Sequence, residues 1–80
     1  MKENEIKNGD IVKAIFRKYG KHTIIGKVWE ISLDETPLPG VWVSIRVLDG
    51  DKNDKAVLLM IQNRINVMVP ISDVIEMLNI

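Results

Sequence analysis

The sequence predicts an all-β protein, a small five-stranded barrel in a single domain. The chain has 80 residues, which suffices for one domain with a modest core. Twelve isoleucines and nine valines dominate its apolar residues, and β-branched side chains pack well in strands. Apolar and polar residues alternate over short runs, and glycine, proline and aspartate turns separate these runs.

Each predicted strand is bounded by turn signals. An Asn-Gly-Asp turn precedes the first strand, a loop with two prolines at 34–40 follows the second, and an Asp-Gly turn follows the third. Gly26 interrupts the second strand, which predicts a bulge or a sharp bend at that position. The five predicted strands cover residues 10–17, 22–33, 41–48, 55–62 and 65–69.

The third and fourth predicted strands differ in their alternation. The third places aliphatic residues on one face and Trp42, Ser44 and Arg46 on the other, so these three are expected outside if the aliphatic face is the interior. The fourth contains the run AVLLMI at 56–61, which is apolar on both faces and therefore predicts burial on both. In so small a barrel, the second face needs cover from the C-terminal segment or from another chain.

Two alternatives are open for the C-terminal segment. Asp73 followed by Glu76 fits a capping box, so residues 73–79 predict a short helix. A single 3-10 turn followed by a last strand fits the same residues. For the domain organisation, we expect residues 1–9 to form a flexible N-terminal segment and residues 10–80 to form the barrel domain.

Three stretches of the chain resemble bacterial SH3-like barrel domains. They are NGDIV at 8–12, GKVWEI at 26–31 and VPISDVIEML at 69–78. In such domains a Gly-Asp turn opens the barrel and a short helical turn closes it. The connection after the third predicted strand is also too short for the helix that an OB-fold usually has there. The resemblance implies a recognition or assembly module, without assigning any functional residue.

Composition argues against most catalytic and metal sites. The chain has no cysteine, so disulfides, thiolate zinc sites and cysteine nucleophiles are excluded. His22 is the only histidine, which excludes a two-histidine metal site, and no serine lies in a G-x-S-x-G context. We therefore expect a protein that is not an enzyme and that has no cofactor.

The sequence also lacks the usual signals for export or membrane insertion. No apolar run reaches the roughly 18 residues that span a bilayer. The first residues, MKENE, are too acidic and polar for a secretory signal. We expect a cytoplasmic protein, and the Lys-, Ile- and Asn-rich composition is typical of an AT-rich bacterium or its phage.

Charge gives a second candidate function. Eleven basic and eleven acidic side chains cancel, which argues against binding nucleic acid mainly by neutralising phosphates. Basic side chains nevertheless cluster at the first hairpin loop, where cations could contact phosphates and a tyrosine could stack on a base. A solvated hairpin connection is the alternative. The candidate nucleic-acid-binding residues are Arg17, Lys18, Tyr19, Lys21 and His22.

The tryptophans give the leading hypothesis. Trp29, Trp42 and Arg46 are the candidate partner-binding residues, because exposed aromatics are costly unless covered and because tryptophan and arginine often anchor interfaces. Cover by the N-terminal segment or the terminal helix is the alternative. Together with the doubly apolar fourth strand, they predict a binding or assembly module that acts through protein–protein contacts, with itself as the expected partner in a homo-oligomer.

Overall fold

The computed structural model contains one antiparallel sheet of five strands. The structure describes residues 6–18, 20–34 and 40–78. Outside the described residues lie Tyr19 of the candidate nucleic-acid-binding loop, residues 1–5 of the expected flexible segment, residues 35–39 of the predicted loop and residues 79–80 of the expected barrel domain. The elements are β1 (Ile11–Arg17), β2 (Lys21–Asp34), β3 (Gly40–Gly50), α1 (Lys55–Gln62), β4 (Asn66–Pro70), a 3-10 turn (Ile71–Asp73) and β5 (Val74–Leu78). The order of the strands in the sheet is β4-β3-β2-β1-β5.

A small, mostly β, five-stranded domain with a 3-10 turn near its end is confirmed, but the predicted fourth strand at 55–62 is wrong. These residues form α1, which lies between β3 and β4, so the expectation that no helix fits after the third strand is wrong as well. The Asp54 side chain caps the helix by accepting hydrogen bonds from the backbone N–H groups two and three residues further on, at 2.9 and 3.4 Å. Val57 and Met60 face the core, whereas Leu59 is 56% exposed. The run is therefore amphipathic at helical spacing, and the argument for an oligomer from a doubly buried strand no longer holds.

The helix predicted over 73–79 is also wrong, and the alternative of a 3-10 turn followed by a last strand is confirmed. β5 pairs with the outer edge of β1, which gives backbone groups of both strands hydrogen-bond partners. Asp73 does not cap a helix, because its carboxylate accepts hydrogen bonds from Arg17. Pairing across the sheet has overridden the local capping signal.

The core lies on the inner face of the sheet, which curls so that β1 contacts β4 without pairing with it. The prediction that the aliphatic face of the third strand is the interior is confirmed, since alternate residues of β3 are fully buried. The segment before β1 is fixed to β2, because the Gly9 N–H donates to the Val28 carbonyl at 2.8 Å. The buried residues are Ile6, Val12, Ala14, Ile24, Val28, Val43, Ile45, Val47, Val57, Met60, Val67, Val69 and Val74.

The bulge predicted at Gly26 is confirmed. The register between β2 and β3 shifts there, so that Leu48 is the extra residue on β3. A Cβ atom at position 26 would overlap the backbone carbonyl of Arg46 and the side chain of Ile45. Glycine is therefore required because the two strand backbones come unusually close.

Candidate functional site

The three predicted partner-binding residues lie on one surface of the sheet. On β3, Trp42 and Arg46 point away from the core, and the register places Arg46 opposite Lys27 of β2 and Asn66 of β4. Ser44 lies between them on β3. It is opposite Glu30 of β2 and Met68 of β4, so these side chains lie on the same side of the sheet. We call this surface the outer face. Its principal side chains are those of Lys27, Trp29, Glu30, Trp42, Arg46, Asn66 and Met68.

A second bulge explains why Trp29 belongs to the outer face. The register passes from Val28 opposite Ile45 to Glu30 opposite Ser44, so Trp29 has no residue directly across from it. The side chain of Trp29 is 57% exposed. Neighbouring positions 29 and 30 therefore both contribute to the outer face, where strict alternation would have allowed only one of them.

Arg46 contacts residues on both of the strands that flank β3 in the outer face. The Cζ atom of its guanidinium lies 5.0 Å from the centroid of the Trp29 ring, which is a cation–π contact. Its Nε donates a hydrogen bond to Oδ1 of Asn66 at 3.2 Å. Trp42, on the same strand, is half-buried. Arg46 of β3 therefore contacts Trp29 of β2 and Asn66 of β4, and links side chains of three strands across the outer face.

The basic residues of the first hairpin are partly paired with distant carboxylates. Arg17 Nε donates to both carboxylate oxygens of Asp73, at 3.1 and 3.2 Å. Lys18 and Lys21 are exposed. Because at least one cation already has a carboxylate partner, the hairpin offers less positive charge to a phosphate than its sequence implies. Nucleic-acid binding at this loop stays a prediction.

His22 forms hydrogen bonds through both ring nitrogens. Nδ1 lies 2.6 Å from Oδ2 of Asp54, and Nε2 lies 2.9 Å from the Lys18 carbonyl oxygen. Both partners only accept, so both bonds require the doubly protonated imidazolium. The hydrogen bond to Asp54 raises the pKa of His22 above its ordinary 6.5, and the same bond lowers the pKa of Asp54 below 3.8.

The pair of His22 and Asp54 is therefore a structural connection between the first hairpin and the start of α1. Neither ring nitrogen is left to take a proton from a substrate, as a general base must. The second oxygen of the same Asp54 carboxylate caps the helix. Sequence reasoning missed this partner because 32 residues separate the two side chains. The sequence offered a signal only for the cap, because Asp54 lies two residues before the apolar run at 56–61 and aspartate is favoured at helix N-termini.

Two further features of the described residues bear on function. Among residues 6–18, 20–34 and 40–78, no group of three or more histidine, cysteine, aspartate or glutamate side chains is placed to hold a metal ion. In the same part of the chain, no helix combines the length and apolar character needed to cross a bilayer.

Comparisons of the chain with protein-family models, with curated proteins and with solved structures found no match. The resemblance to SH3-like barrel domains therefore stays a prediction. Because a fold does not by itself define a function, the function has to be argued from the surfaces that the fold presents.

Proposed function

We propose that this protein is a non-enzymatic binding or assembly module that associates with itself through the outer face. The observation that carries the proposal is the exposed side chain of Trp29, at 57%, with the Arg46 guanidinium over its ring. Leaving a tryptophan in water forgoes a large gain from burial. Tryptophan and arginine are also the residues most enriched among the energetic anchors of protein interfaces.

The charges on the outer face favour a second copy of the chain as the partner. A two-fold dimer brings the same surface from both copies together, so that surface must complement itself. The outer face carries Lys27 and Arg46 as well as Glu30, and these opposite charges can pair across a two-fold axis. The chain as a whole has no net charge, so approaching copies meet no long-range repulsion.

Sedimentation velocity over about a hundredfold range of protein concentration tests the proposal. We expect reversible self-association of the wild-type protein. Trp29→Ser should raise the dissociation constant by up to about a thousandfold, because it removes the anchor from both copies and each anchor contributes about 2 kcal/mol.

Leu59→Ser is the matched control. Leu59 is 56% exposed, as Trp29 nearly is, but it lies on α1 and not on the outer face. We expect this variant to associate like the wild type. A wild-type protein that stays monomeric throughout would overturn the proposal, and so would a dimer that Leu59→Ser disrupts and Trp29→Ser leaves intact.

A further inference from the structure

A small cleft opens between the second half of β3 and the end of α1. Its volume is about 300 Å³, which is at the lower end of the range of ligand-binding pockets. Arg46, Val47 and Leu48 line it from β3, and Ile61 and Arg64 line it from the other side. Two arginines therefore line one cleft that has no acidic residue in its walls. We call it the arginine cleft.

The backbone after α1 holds Arg64 in a strained conformation. The φ angle of Arg64 is 53°, and among the described residues no other non-glycine residue has a positive φ. Helices often end in a left-handed residue of this kind, but glycine usually occupies the position because a Cβ atom is strained there. Strained non-glycine residues cluster at ligand sites, so the arginine at this position points to a role for its side chain.

The end of α1 is capped without the guanidinium of Arg64. The Ile65 N–H donates to the Met60 carbonyl at 3.0 Å. The Arg64 N–H donates to the Ile61 carbonyl at 3.2 Å, which completes the usual bonding around a left-handed residue at a helix end. The side-chain amide of Asn63 donates to the carbonyl four residues before it at 2.8 Å. Capping therefore does not account for the choice of arginine.

Neither arginine of the cleft has a carboxylate partner among the described residues, because the ion pairs found there involve other cations. Arg46 donates through Nε to the amide oxygen of Asn66 and lies over the Trp29 ring, so its guanidinium is already oriented. Two positive charges beside one cleft repel each other, and an anion between them would remove the repulsion. Guanidinium groups bind carboxylate and phosphate oxygens through paired N–H bonds.

Leu48 gives the arginine cleft an apolar wall. It is the extra residue of the bulge at Gly26, and its side chain is 48% exposed. A bulge can re-aim a side chain beside a binding site in this way. Ile61, on the other side, packs against the core. A ligand that fills the cleft therefore needs an apolar group as well as a negative charge.

We propose that the arginine cleft binds a small amphiphilic anion. Its carboxylate or phosphate group bonds to the guanidinium groups of Arg46 and Arg64, and its short apolar group covers Leu48. A cleft of this volume suits a small molecule better than a segment of protein. Arg46 also belongs to the outer face, so the two sites adjoin each other. The inference goes beyond self-association because it assigns a role to Arg64 and Leu48, which lie outside the outer face.

NMR titrations of the full chain with hexanoate and with hexyl phosphate test the site. Both anions should shift the side-chain signals of Leu48 and Arg64 until the site is saturated, and the tighter of the two identifies the charged group. Acetate keeps the carboxylate without the apolar chain, and hexanol keeps the apolar chain without the charge. Each of these two should bind at least about tenfold more weakly than hexanoate.

Arg64→Gly removes the guanidinium and places at this position the residue that adopts a positive φ without strain. It should bind hexanoate at least about tenfold more weakly, because charge-assisted hydrogen bonds are lost. Its urea midpoint should be no lower than that of the wild type, so that the loss is not one of structure. Lys55→Ala is the matched control, because it removes an exposed positive charge from the opposite end of α1 and should bind like the wild type. Leu48→Ser should lose the preference for hexanoate over acetate.

Three results would overturn the inference. Neither hexanoate nor hexyl phosphate could bind, hexanol could bind as tightly as hexanoate, or Arg64→Gly could bind as tightly as Lys55→Ala. Sedimentation velocity on the same variants separates this inference from the proposed function, since Arg64→Gly should lose the anion but associate like the wild type. A wild-type protein that binds hexanoate and stays monomeric would overturn the proposed function alone.

Discussion

The outer face and the first hairpin both combine basic side chains with an aromatic residue, but they are built differently. On the outer face, Arg46 lies over a tryptophan ring and donates to an uncharged amide, so its charge remains at the surface. At the first hairpin, Arg17 and His22 are bonded to carboxylates that lie 56 and 32 residues away along the chain. A cluster of cations in a sequence is therefore not the same as a cationic surface.

The difference assigns the two regions different roles. The hairpin is connected through Asp73 to the 3-10 turn and through Asp54 to α1, so its charged groups hold three elements together. On the outer face, the Trp29 side chain is exposed, and Arg46 contacts only residues of the same surface, the Trp29 ring and Asn66. Substitutions at the hairpin should therefore change stability, whereas substitutions on the outer face should change association.

The largest effect should follow from Gly26→Ala, because β2 runs through both regions and the added Cβ would overlap the backbone of Arg46. Forced separation of β2 and β3 should cost about 3 kcal/mol or more. That is a large part of the roughly 4–12 kcal/mol expected for a domain of this size. Urea denaturation followed by circular dichroism measures the loss.

Lys27→Ala is the control for that substitution, since the neighbouring Lys27 is exposed and should change stability by no more than about 0.5 kcal/mol. If Gly26→Ala and Lys27→Ala unfold at the same urea concentration, the two strands do not come as close at Gly26 as the structure indicates.

Asp54→Ala should have the next largest effect, which should be on stability and not on the outer face. It removes both the cap of α1 and the partner of His22. We expect the melting temperature to fall by about 4–8 °C, with self-association unchanged below the transition. Asp54→Asn is the matched variant, because asparagine also caps helices but carries no charge. Its melting temperature should fall by less than that of Asp54→Ala. Equal losses in both variants would assign the effect to the ion pair and not to the cap.

The parts of the fold that could be predicted from the sequence are those in which apolar residues recur with an unambiguous period. Alternation along 41–48 correctly placed the aliphatic residues inside, and Gly26 correctly marked a bulge. The run at 56–61 has no polar residue to distinguish a period of two from one of 3.6, and this caused the wrong strand. The capping box at Asp73 was a true local signal that pairing with β1 overrode.

The residues of the candidate sites also differ in how far the sequence predicts them. Alternation alone predicted that Trp42 and Arg46 share a surface, because both lie on one regular strand. The placement of Trp29 depends on a register shift between β2 and β3, and no residue in the sequence specifies that shift. The partners of Arg17 and His22 come from distant elements, so only the packed fold reveals them.

The smallest effect is the pH dependence of the stability that the hairpin contributes through His22. It also separates the two regions most sharply. The pKa of His22 is raised in the folded protein, so its hydrogen bond to Asp54 stabilises the fold fully below the unfolded value near 6.5. That contribution is lost as the pH rises through the raised pKa. Asp54 behaves oppositely, because its pKa is lowered and its contribution is lost only in acid, below 3.8.

Thermal unfolding of the wild type and His22→Gln between about pH 5 and pH 9 tests this dependence. The stability difference between the two proteins should shrink as the pH rises through the His22 pKa, which an NMR titration of the ring should place above 6.5. For Trp29→Ser, the difference from the wild type should stay constant over the same range, because neither tryptophan nor serine carries an ionisable group in that range. A midpoint at or below 6.5, or a constant difference for His22→Gln, would show that the connection through His22 does not stabilise the hairpin.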